Sequence, residues 1–449
     1  MFQHLPGFRD FYPEDCAAYY PLWATMKKCA GQFGFQEYRA PILEPLELFT
    51  KKSGDEIVDQ LFSFSDKGGR SVALRPEITP SLIRMVGAKI HSLPKPIRWF
   101  SIAECFRYER PQKGRLRSFY QFNADILGEE SPNADAEVIA LGIHILQSLG
   151  FGPEDFHVRL SDRQLWALFL KANHIPPELL SAVLVIIDRM GREKSQTVLD
   201  TLVSLSSDLP WKELLQEIRQ LQSLQDIAEL SSFLGQADNP EVRLEWGQRL
   251  ETLSHLRSRL ETMGYGNYIT LDLSVVRGLA YYTGFVFEFF EREGHMRALA
   301  GGGRYDDLAA KLGCSKTDIP AVGLAIGDVT LQELLIKKQK LPSPPPSRDI
   351  VLVFASPEAE ILALQDAYLL RQKGFRVTYA MKGSTKQPIK QFKGRQDFSW
   401  FCHYDIKLYG EQQIHVALIS AQERLQSELI LRENLLSFIR ENFPKNRIP

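Results

Sequence analysis

The chain has 449 residues, 44% of them hydrophobic, which exceeds the size of one compact domain and supplies apolar surface for at least two cores. Its 54 Lys and Arg residues and 55 Asp and Glu residues give a formal net charge of -1, which excludes a chain-wide cationic field; any nucleic-acid surface must be a local patch. The chain does not begin with a cationic segment followed by an apolar stretch, and it has no run of about 18 apolar residues. The five cysteines are scattered, without a CxxC pair or a His/Cys cluster at metal-ligand spacing. We expect a soluble, multidomain, cytoplasmic protein with reduced thiols and no membrane segment.

Residues 1–163 predict an antiparallel sheet with flanking helices. An irregular arm precedes an amphipathic helix over residues 13–31, and a strand then ends at Pro41. The runs LFSFSD, SVALRPEIT, IRWFSIAECFRYE and YQFNADILG are rich in β-branched and aromatic residues and are separated by turns, which is typical of strands. Residues 134–149 have apolar side chains at helical spacing, and Gly150 provides a stop signal.

The remainder predicts an interrupted sheet domain and a second, smaller domain. Residues 164–265 are rich in Leu, Glu and Gln, which indicates a helical insertion, and the strand-like runs YITLDL and GFVFEFF complete the sheet within residues 266–338. The segment LPSPPPS has four prolines, so residues 339–348 are expected to form a stiff linker. Residues 349–449 alternate strands and helices in the manner of a small α/β domain.

One candidate site lies in residues 106–125, FRYERPQKGRLRSFYQFNAD. Arg107 stands at a predicted strand end, and a guanidinium is always ionised and presents a rigid fork, so it suits the α-phosphate of a nucleotide. Glu109 can accept a hydrogen bond from the exocyclic amine of a base, Phe119 can stack on its ring, and Arg115 can reach distal phosphates. The alternative is a surface hairpin laced with ion pairs.

A second candidate site lies in VRGLAYYTG, residues 276–284. Arg277 stands directly before a glycine at a predicted strand start, where it can come close to a ligand. The phenols of Tyr281 and Tyr282 can hydrogen-bond a small heterocycle. Further polar groups stand on segments that otherwise look buried: Glu77, Thr79, Gln121 and Asp125. Buried carboxylates need partners, so these groups predict a pocket, with ordinary core polar residues as the alternative. Taken together, the two sites indicate an enzyme that activates an amino acid with ATP.

In this order and spacing the segments resemble the histidyl-tRNA synthetases, which are class II aminoacyl-tRNA synthetases. Residues 33–41 resemble the first class II motif at a dimer interface, FRYERPQKGRLRSFYQFNADILG resembles the second, and RGLAYYTG and GGGRYDDL resemble two histidine-specific signatures. The resemblance implies a fold of mixed class, α/β and α+β. It would contain a class II antiparallel-sheet catalytic core with a helical insertion, plus a C-terminal α/β domain like those that bind anticodons.

The resemblance also implies a role for each candidate residue. The α-amino group of histidine is expected at Glu77, Thr79 and Gln121, and the imidazole nitrogens at Asp125 and Tyr282, with Tyr281 lining the pocket. Arg107 and Arg277 are expected to flank the reacting carboxylate and the α-phosphate and to stabilise the transition state. The residues expected to bind ATP are Arg107, Glu109, Arg115, Phe119 and Arg304.

The implied reaction is the ATP-dependent ligation of L-histidine to tRNA(His) through a histidyl-adenylate, with release of AMP and pyrophosphate. ATP is therefore expected as a substrate with Mg²⁺, and the enzyme is expected to be a homodimer. A basic segment with one aromatic residue is the candidate tRNA contact in the C-terminal domain: Lys382, Lys386, Lys390, Phe392, Lys393 and Arg395. Its alternative is a solvated helical face.

Two positions depart from the family pattern. Ala280 replaces an aspartate in RGLAYYTG, and Thr330 replaces the arginine that ends the third motif and contacts the γ-phosphate and adenine. Loss of such a contact costs about 2 to 4 kcal/mol unless Arg115, Arg304 or a metal ion compensates. A second hypothesis is a catalytically silent histidine sensor resembling the regulatory subunit of ATP phosphoribosyltransferase, and a third is an amino-acid:carrier ligase or tRNA-like binding module. The retained second motif and C-terminal domain favour the ligase.

Overall fold

The computed structural model describes residues 2–51, 59–190, 193–234, 239–276, 281–341, 349–380, 400–418 and 427–442. The chain divides into two compact units, Met1–Pro342 and Ser343–Pro449. The predicted tRNA-contacting segment at residues 382–395 and most of the proline-rich linker lie outside the described residues.

The larger unit is built on a sheet of eight strands. The strands of the larger unit, numbered β1 to β11 in chain order, form this sheet and a smaller one. They are Gln36–Glu37, Leu43–Pro45, Phe62–Ser65, Ser71–Leu74, Ile97–Phe106, Ser118–Leu127, Phe156–Asp162, Ile269–Leu271, Phe285–Glu291, Ala300–Arg304 and Ala321–Gly327. The order across the large sheet is β1-β5-β6-β11-β10-β9-β7-β8, and a small separate sheet has the order β2-β4-β3. Pairing in the large sheet is antiparallel except at its two edges, where β1 is parallel to β5 and β8 is parallel to β7. The antiparallel core predicted from the sequence is confirmed.

Helices flank the large sheet and fill the predicted insertion. Helices α1 to α12 are Pro13–Gln32, Glu47–Thr50, Thr79–Gly87, Pro132–Ser148, Arg163–Ala172, Leu180–Arg189, Ser195–Leu205, Trp211–Ser223, Ile227–Leu234, Pro240–Thr262, Leu308–Lys311 and Asp328–Lys337. Side chains set the starts of two of them: Asp162 accepts from the Gln164 N–H at the start of α5, and Asn239 accepts from the Glu241 N–H at the start of α10. The segment RPEIT is not a strand as predicted, because β4 stops at Leu74 and α3 begins at Thr79, with proline in its first turn.

The inserted helices α5 to α10 share one hydrophobic core with the sheet. Trp166, Trp211 and Trp246 are almost completely buried in the cluster that also contains Phe287 and Phe289 of β9. All three indole N–H groups are also hydrogen-bonded to backbone carbonyls: Trp166 Nε1 to Leu273 at 3.0 Å, Trp211 Nε1 to Ser206 at 2.7 Å and Trp246 Nε1 to Leu230 at 2.9 Å. Burial of apolar surface is the main stabilising term in folding, so these helices are held to the sheet by the same force that holds its strands.

The smaller unit has a five-stranded mixed sheet. Its elements are β12 Asp349–Phe354, α13 Pro357–Gln372, β13 Arg376–Tyr379, β14 Trp400–Tyr404, α14 Ile406–Tyr409, β15 Gln413–Leu418, β16 Ser427–Leu431 and α15 Leu435–Asn442. The strand order is β13-β12-β14-β15-β16, with β12 parallel to both of its neighbours and β15 antiparallel to both of its own. Ser356 caps α13 by accepting from the Ala359 N–H. The predicted α/β character of this region is confirmed.

Candidate active site

Asp125 lies at the centre of the large sheet. On β6 it is opposite Trp99 of β5 and Gly323 of β11, and its side chain is 2% exposed. Gln121 is four residues earlier on the same strand, and side chains alternate along a strand, so Gln121 and Asp125 point to the same face of the sheet. Side-chain alternation along β6 therefore puts two of the predicted histidine-binding residues on one face of the sheet.

One oxygen of Asp125 is bonded and the other has no partner among the described residues. The Tyr305 hydroxyl donates to Oδ1 at 2.6 Å, whereas Oδ2 is buried without a hydrogen bond. Burial raises the pKa of the Asp125 carboxyl to about 7 and the charge of Glu77 acts in the same direction, while the bond from Tyr305 opposes both. Above about pH 7, where the carboxyl is ionised, Oδ2 is a buried acceptor suited to an N–H group of a ligand.

The raised pKa of Asp125 has a consequence for stability. Because the folded pKa is about 7 and the ordinary value is 3.8, the unfolded chain releases this proton at lower pH than the folded one does. The associated stability is complete below about pH 4, falls as the pH rises towards 7, and is then lost, at a cost on the order of 4 kcal/mol. We expect the unfolding free energy of Asp125→Asn relative to the wild type to increase between pH 5 and pH 8, as measured by urea titrations. A difference independent of pH would contradict the raised pKa.

Glycines make room for the side chains around Asp125. A Cβ atom on Gly323 would lie 2.0 Å from Asp125 Oδ1, and a Cβ atom on Gly303 would lie 2.8 Å from the Tyr282 ring. Around Gly302 and Gly303, protein side chains and the backbone of neighbouring strands make the close approaches.

We expect Gly323→Ala to destabilise the fold by about 1 to 3 kcal/mol, because the added methyl group must displace the Asp125 carboxylate or the strand. Gly327→Ala is a matched control on the same strand, since a Cβ atom there meets nothing within 4 Å. Its effect should stay within about 0.5 kcal/mol. Chemical denaturation of both variants measures the difference, and equal effects would show that the contact with Asp125 is not tight.

Three tyrosines and a second carboxylate form a cluster that contacts Asp125. The Tyr281 hydroxyl donates to Glu77 Oε2 at 2.9 Å, and both residues are buried. The Tyr281 ring centroid is 5.0 Å from that of Tyr282 and 5.9 Å from that of Tyr305. Of the other predicted histidine-binding residues, Thr79 is buried in the first turn of α3. The structure thus brings Glu77, both tyrosines of the AYYTG sequence and, through Tyr305, Asp125 into one cluster.

Two residues of this cluster were missed by the sequence analysis. Tyr305 follows Arg304 in GGGRYDDL, and only the arginine of this segment was assigned a role from the sequence. Tyr38 lies in the segment assigned to a dimer interface, and its hydroxyl is buried without a partner among the described residues. Burial, followed by the charge of Asp125, raises the pKa of Tyr38 well above its usual value, so this phenol stays protonated as a donor.

Arg107 contacts both the segment before Glu77 and the ring of Phe119 in the predicted nucleotide site. Its Nε donates to the Pro76 carbonyl at 3.1 Å, immediately before Glu77 in the chain, and its guanidinium carbon lies 5.2 Å from the Phe119 ring centroid. A guanidinium over an aromatic face is held by a cation–π interaction. The predicted phosphate ligand and the predicted adenine-stacking ring are therefore neighbours, next to the segment that carries Glu77.

Glu109 and Arg115 are bound to each other. Arg115 Nη2 donates to Glu109 Oε1 at 2.5 Å, and Arg115 Nε makes a second contact with Oε2 of the same carboxylate. Arg117 Nε also donates to the Glu109 carbonyl at 3.0 Å, and its guanidinium lies 4.1 Å from the Tyr108 ring centroid. This is the ion-paired hairpin that the sequence analysis held as an alternative. The N–H groups and lone pairs that form this bidentate pair are available to ATP only after the pair opens.

Arg304 does not fit its predicted contact with ATP. It is 5% exposed, and Nε and Nη2 bind the buried carboxylate of Asp135. Nη1 donates to the Glu129 carbonyl at 3.0 Å and to Asp306 Oδ1 at 3.3 Å, and Nη2 also donates to the Ser131 carbonyl at 3.2 Å. Every nitrogen of this guanidinium is engaged inside the fold, so we assign Arg304 a structural role that ties β10 to the start of α4.

Asp328 and Thr330 stand in the first turn of α12, directly after β11, where the third motif is expected. The Asp328 carboxylate accepts from the Tyr120 N–H at 2.9 Å and from Arg9 Nη2 at 2.7 Å, which fastens the N-terminal arm to β6 and α12. Burial raises the pKa of Asp328, although Arg9 acts to lower it. Thr330 is 7% exposed. Arg277 and Ala280 lie outside the described residues, so the geometry does not test the second catalytic arginine.

The described residues contain no group of three His, Cys, Asp or Glu side chains arranged to hold a metal ion. No helix in the same part of the chain is long and apolar enough to span a membrane. All five cysteines are unpaired thiols, as expected.

Sequence comparisons cover nearly the whole chain. A family model described as histidyl-tRNA synthetase matches residues 7–331. A histidine–tRNA ligase from Opitutus terrae is 42% identical, and the alignment spans 100% of this chain and 97% of that relative. A chloroplastic/mitochondrial histidine–tRNA ligase from Arabidopsis thaliana is 36% identical over 94% of this chain and 84% of its own length.

Solved structures share the fold of both units. A histidyl-tRNA synthetase from Nostoc sp. PCC 7120 matches with a TM-score of 0.77 at 22% identity, over 99% of this chain and 100% of that one. An ATP phosphoribosyltransferase regulatory subunit/histidyl-tRNA synthetase from Bacillus halodurans C matches with a TM-score of 0.72 at 22% identity, over 90% of this chain and 99% of that one. At these identities the structural matches establish the fold alone.

Proposed function

The chain belongs to the histidyl-tRNA synthetase family, and we propose that it ligates L-histidine to tRNA(His) with ATP, through a histidyl-adenylate. The choice of histidine as the amino acid is supported above all by the environment of the Asp125 carboxylate. Its Oδ2 atom is a buried acceptor without a partner among the described residues, and it lies in a cluster of tyrosines. An imidazole N–H supplies the donor that this oxygen needs, and the aromatic walls suit a flat ring.

The α-amino group of histidine is proposed to bind at the Glu77 end of the same cluster. Glu77 is a buried carboxylate that holds the Tyr281 hydroxyl, and an ammonium group would compensate its charge. Thr79 and Gln121 are proposed to complete this subsite, and Tyr282 to bind the second imidazole nitrogen. An amino acid without matched donors and acceptors would leave these buried groups unpaired, which supports discrimination of about 10⁴ or more.

In the proposed first step, a histidine carboxylate oxygen attacks the α-phosphorus of ATP, and the bond from that phosphorus to the departing pyrophosphate breaks. Arg107 would neutralise the charge that grows on the α-phosphate, and Arg277 would do so from the other side. A ribose hydroxyl of the tRNA then attacks the carbonyl carbon of the adenylate, its proton is released, and AMP leaves. Phe119 would stack on adenine, while Glu109 and Arg115 would bind ATP after their mutual ion pair opens.

Mg²⁺ is proposed to enter with ATP. This ion keeps several waters and is commonly held by substrate phosphates with one or two carboxylates, so a dedicated cluster of protein ligands is not required. We further propose a cytoplasmic homodimer, with residues 33–41 at the interface and with the basic segment at residues 382–395 in contact with tRNA. Light scattering tests the dimer separately from the chemistry.

The histidine sensor is the less supported alternative. The solved structure described as a regulatory subunit is 22% identical to this chain, and at that identity the match carries fold and not activity. In contrast, the ligase from Opitutus terrae is 42% identical along the whole chain. The intact second motif and the C-terminal unit also favour the ligase.

Charging of a tRNA(His) transcript with labelled histidine tests the proposed function. We expect ATP-dependent acid-insoluble label with this transcript and background label with a transcript of another specificity. Histidine binding without pyrophosphate exchange or charging would support the sensor in place of the ligase.

A further inference from the structure

The tip of the β5–β6 connection is fastened to helix α12. The Gly114 N–H donates to Glu333 Oε1 at 3.0 Å, and the turn is closed by reciprocal backbone hydrogen bonds between Gln112 and Arg115 at 3.0 and 2.9 Å. Gly114 has φ +72°, a left-handed conformation that favours glycine at this tip. The hairpin tip therefore has a defined position beside α12.

Three side chains surround Gly114, and one of them belongs to the β9–β10 connection. A Cβ atom on Gly114 would lie 3.5 Å from Arg297 Cδ, 3.8 Å from Thr330 Oγ1 and 3.9 Å from Glu333 Oε2. Arg297 thus reaches the place on α12 where Thr330 stands instead of the third-motif arginine. The chain brings an arginine to this place from a different element.

The charge of Arg297 is available to a ligand. Its side chain is exposed, and it makes no hydrogen bond or ion pair with another described residue. The two arginines that the sequence analysis considered as substitutes are engaged: Arg304 with Asp135, and Arg115 with Glu109. Among these three guanidinium groups, Arg297 needs no existing ion pair to break before it can bind an anion.

We propose that Arg297 binds the terminal phosphates of ATP and supplies the cation that position 330 lacks. This inference rests on the proposed function, because it assigns a residue to its ATP site. A guanidinium forms short, charge-assisted and often bidentate hydrogen bonds with phosphate oxygens. The Gly114–Glu333 hydrogen bond holds the hairpin tip against the Arg297 side chain, and the ATP phosphates would bind at the exposed guanidinium beside this tip.

Kinetics of histidine-dependent pyrophosphate exchange test the role of Arg297. We expect Arg297→Gln to raise the KM for ATP about 10- to 100-fold and to leave the KM for histidine within about twofold. Arg297→Lys should show a smaller rise, because it retains the charge and loses the fork. Arg292→Gln is the matched control on the same connection, since Arg292 is exposed and donates to the Pro153 and Asn267 carbonyls. Equal ATP KM values for Arg297→Gln and Arg292→Gln would overturn the inference.

Equilibrium dialysis with labelled ATP separates this inference from the proposed function. Weaker ATP binding by Arg297→Gln than by Arg292→Gln would support the assignment of Arg297, whether or not the wild type exchanges pyrophosphate. A wild type that binds ATP in this way but fails to exchange pyrophosphate would refute only the proposed ligase activity. Exchange by the wild type with identical ATP binding by the two variants would refute the assignment of Arg297 and leave the ligase standing.

Discussion

Replacement of Arg107 by alanine is expected to lower the rate of adenylate formation about 10³-fold. The guanidinium lies over Phe119 and is anchored to the Pro76 carbonyl, so its position is set before substrates bind. A charge that is fixed in advance near the α-phosphate stabilises the transition state without reorganisation, and removal of such a group commonly costs 10² to 10³ or more in rate. Single-turnover formation of histidyl-adenylate measures the effect.

The specific prediction for Arg107 is a loss in rate that exceeds the loss in histidine binding. Arg107→Lys should recover only part of the rate, because the ammonium group cannot form the bidentate contact. Arg110→Ala is the control, since Arg110 is an exposed arginine three residues further along the same connection. If Arg107→Ala weakened histidine binding and adenylation equally, Arg107 would be a ground-state binding residue.

Replacement of Asp125 by asparagine is expected to lower kcat/KM for histidine by about 10²- to 10³-fold. The amide cannot offer the same charged acceptor to the imidazole N–H, and it places an NH₂ group where one carboxylate oxygen stood. Tyr305 would also lose a charged partner, because its hydroxyl now donates to Oδ1 at 2.6 Å. Steady-state exchange at varied histidine concentration measures the change, while the KM for ATP should remain within about threefold.

A buried carboxylate in the smaller unit provides the control for Asp125. Asp366 accepts from the Tyr404 hydroxyl at 2.9 Å and from Arg432 Nε at 2.8 Å, so Asp366→Asn changes a similar tyrosine–carboxylate pair. We expect Asp366→Asn to affect stability and to leave the KM for histidine unchanged. A similar increase in the histidine KM in both variants would mean that general destabilisation, and not the pocket, causes the loss.

Local structure was predicted from the sequence with few errors. The long runs that became β5 and β6 carry enough β-branched and aromatic residues to identify strands, and the Leu-rich segment after Asp162 has helical spacing throughout. The error at Thr79 arose because Ile78 and Thr79 are β-branched residues typical of strands, and because no capping side chain marks the start of α3.

The contacts that define the site were harder to predict because they join distant parts of the chain. Tyr305 is 180 positions from Asp125, and Arg304 is 169 positions from Asp135. Both contacts depend on a sheet order in which β6, β11 and β10 are neighbours, and periodicity does not specify that order. Polar residues in buried segments indicated a pocket. The sequence does not show that Arg297 is exposed near Thr330 whereas Arg304 is buried in an ion pair with Asp135.

In the proposed function, the side chains around Asp125 accept the imidazole ring and present histidine to ATP. The most direct measurement is amino-acid-dependent exchange of labelled pyrophosphate into ATP by the wild-type protein, with each of the twenty amino acids in turn. We expect exchange with L-histidine at a kcat/KM about 10⁴-fold or more above that of any other amino acid. Comparable exchange with a second amino acid, or none with histidine, would contradict it.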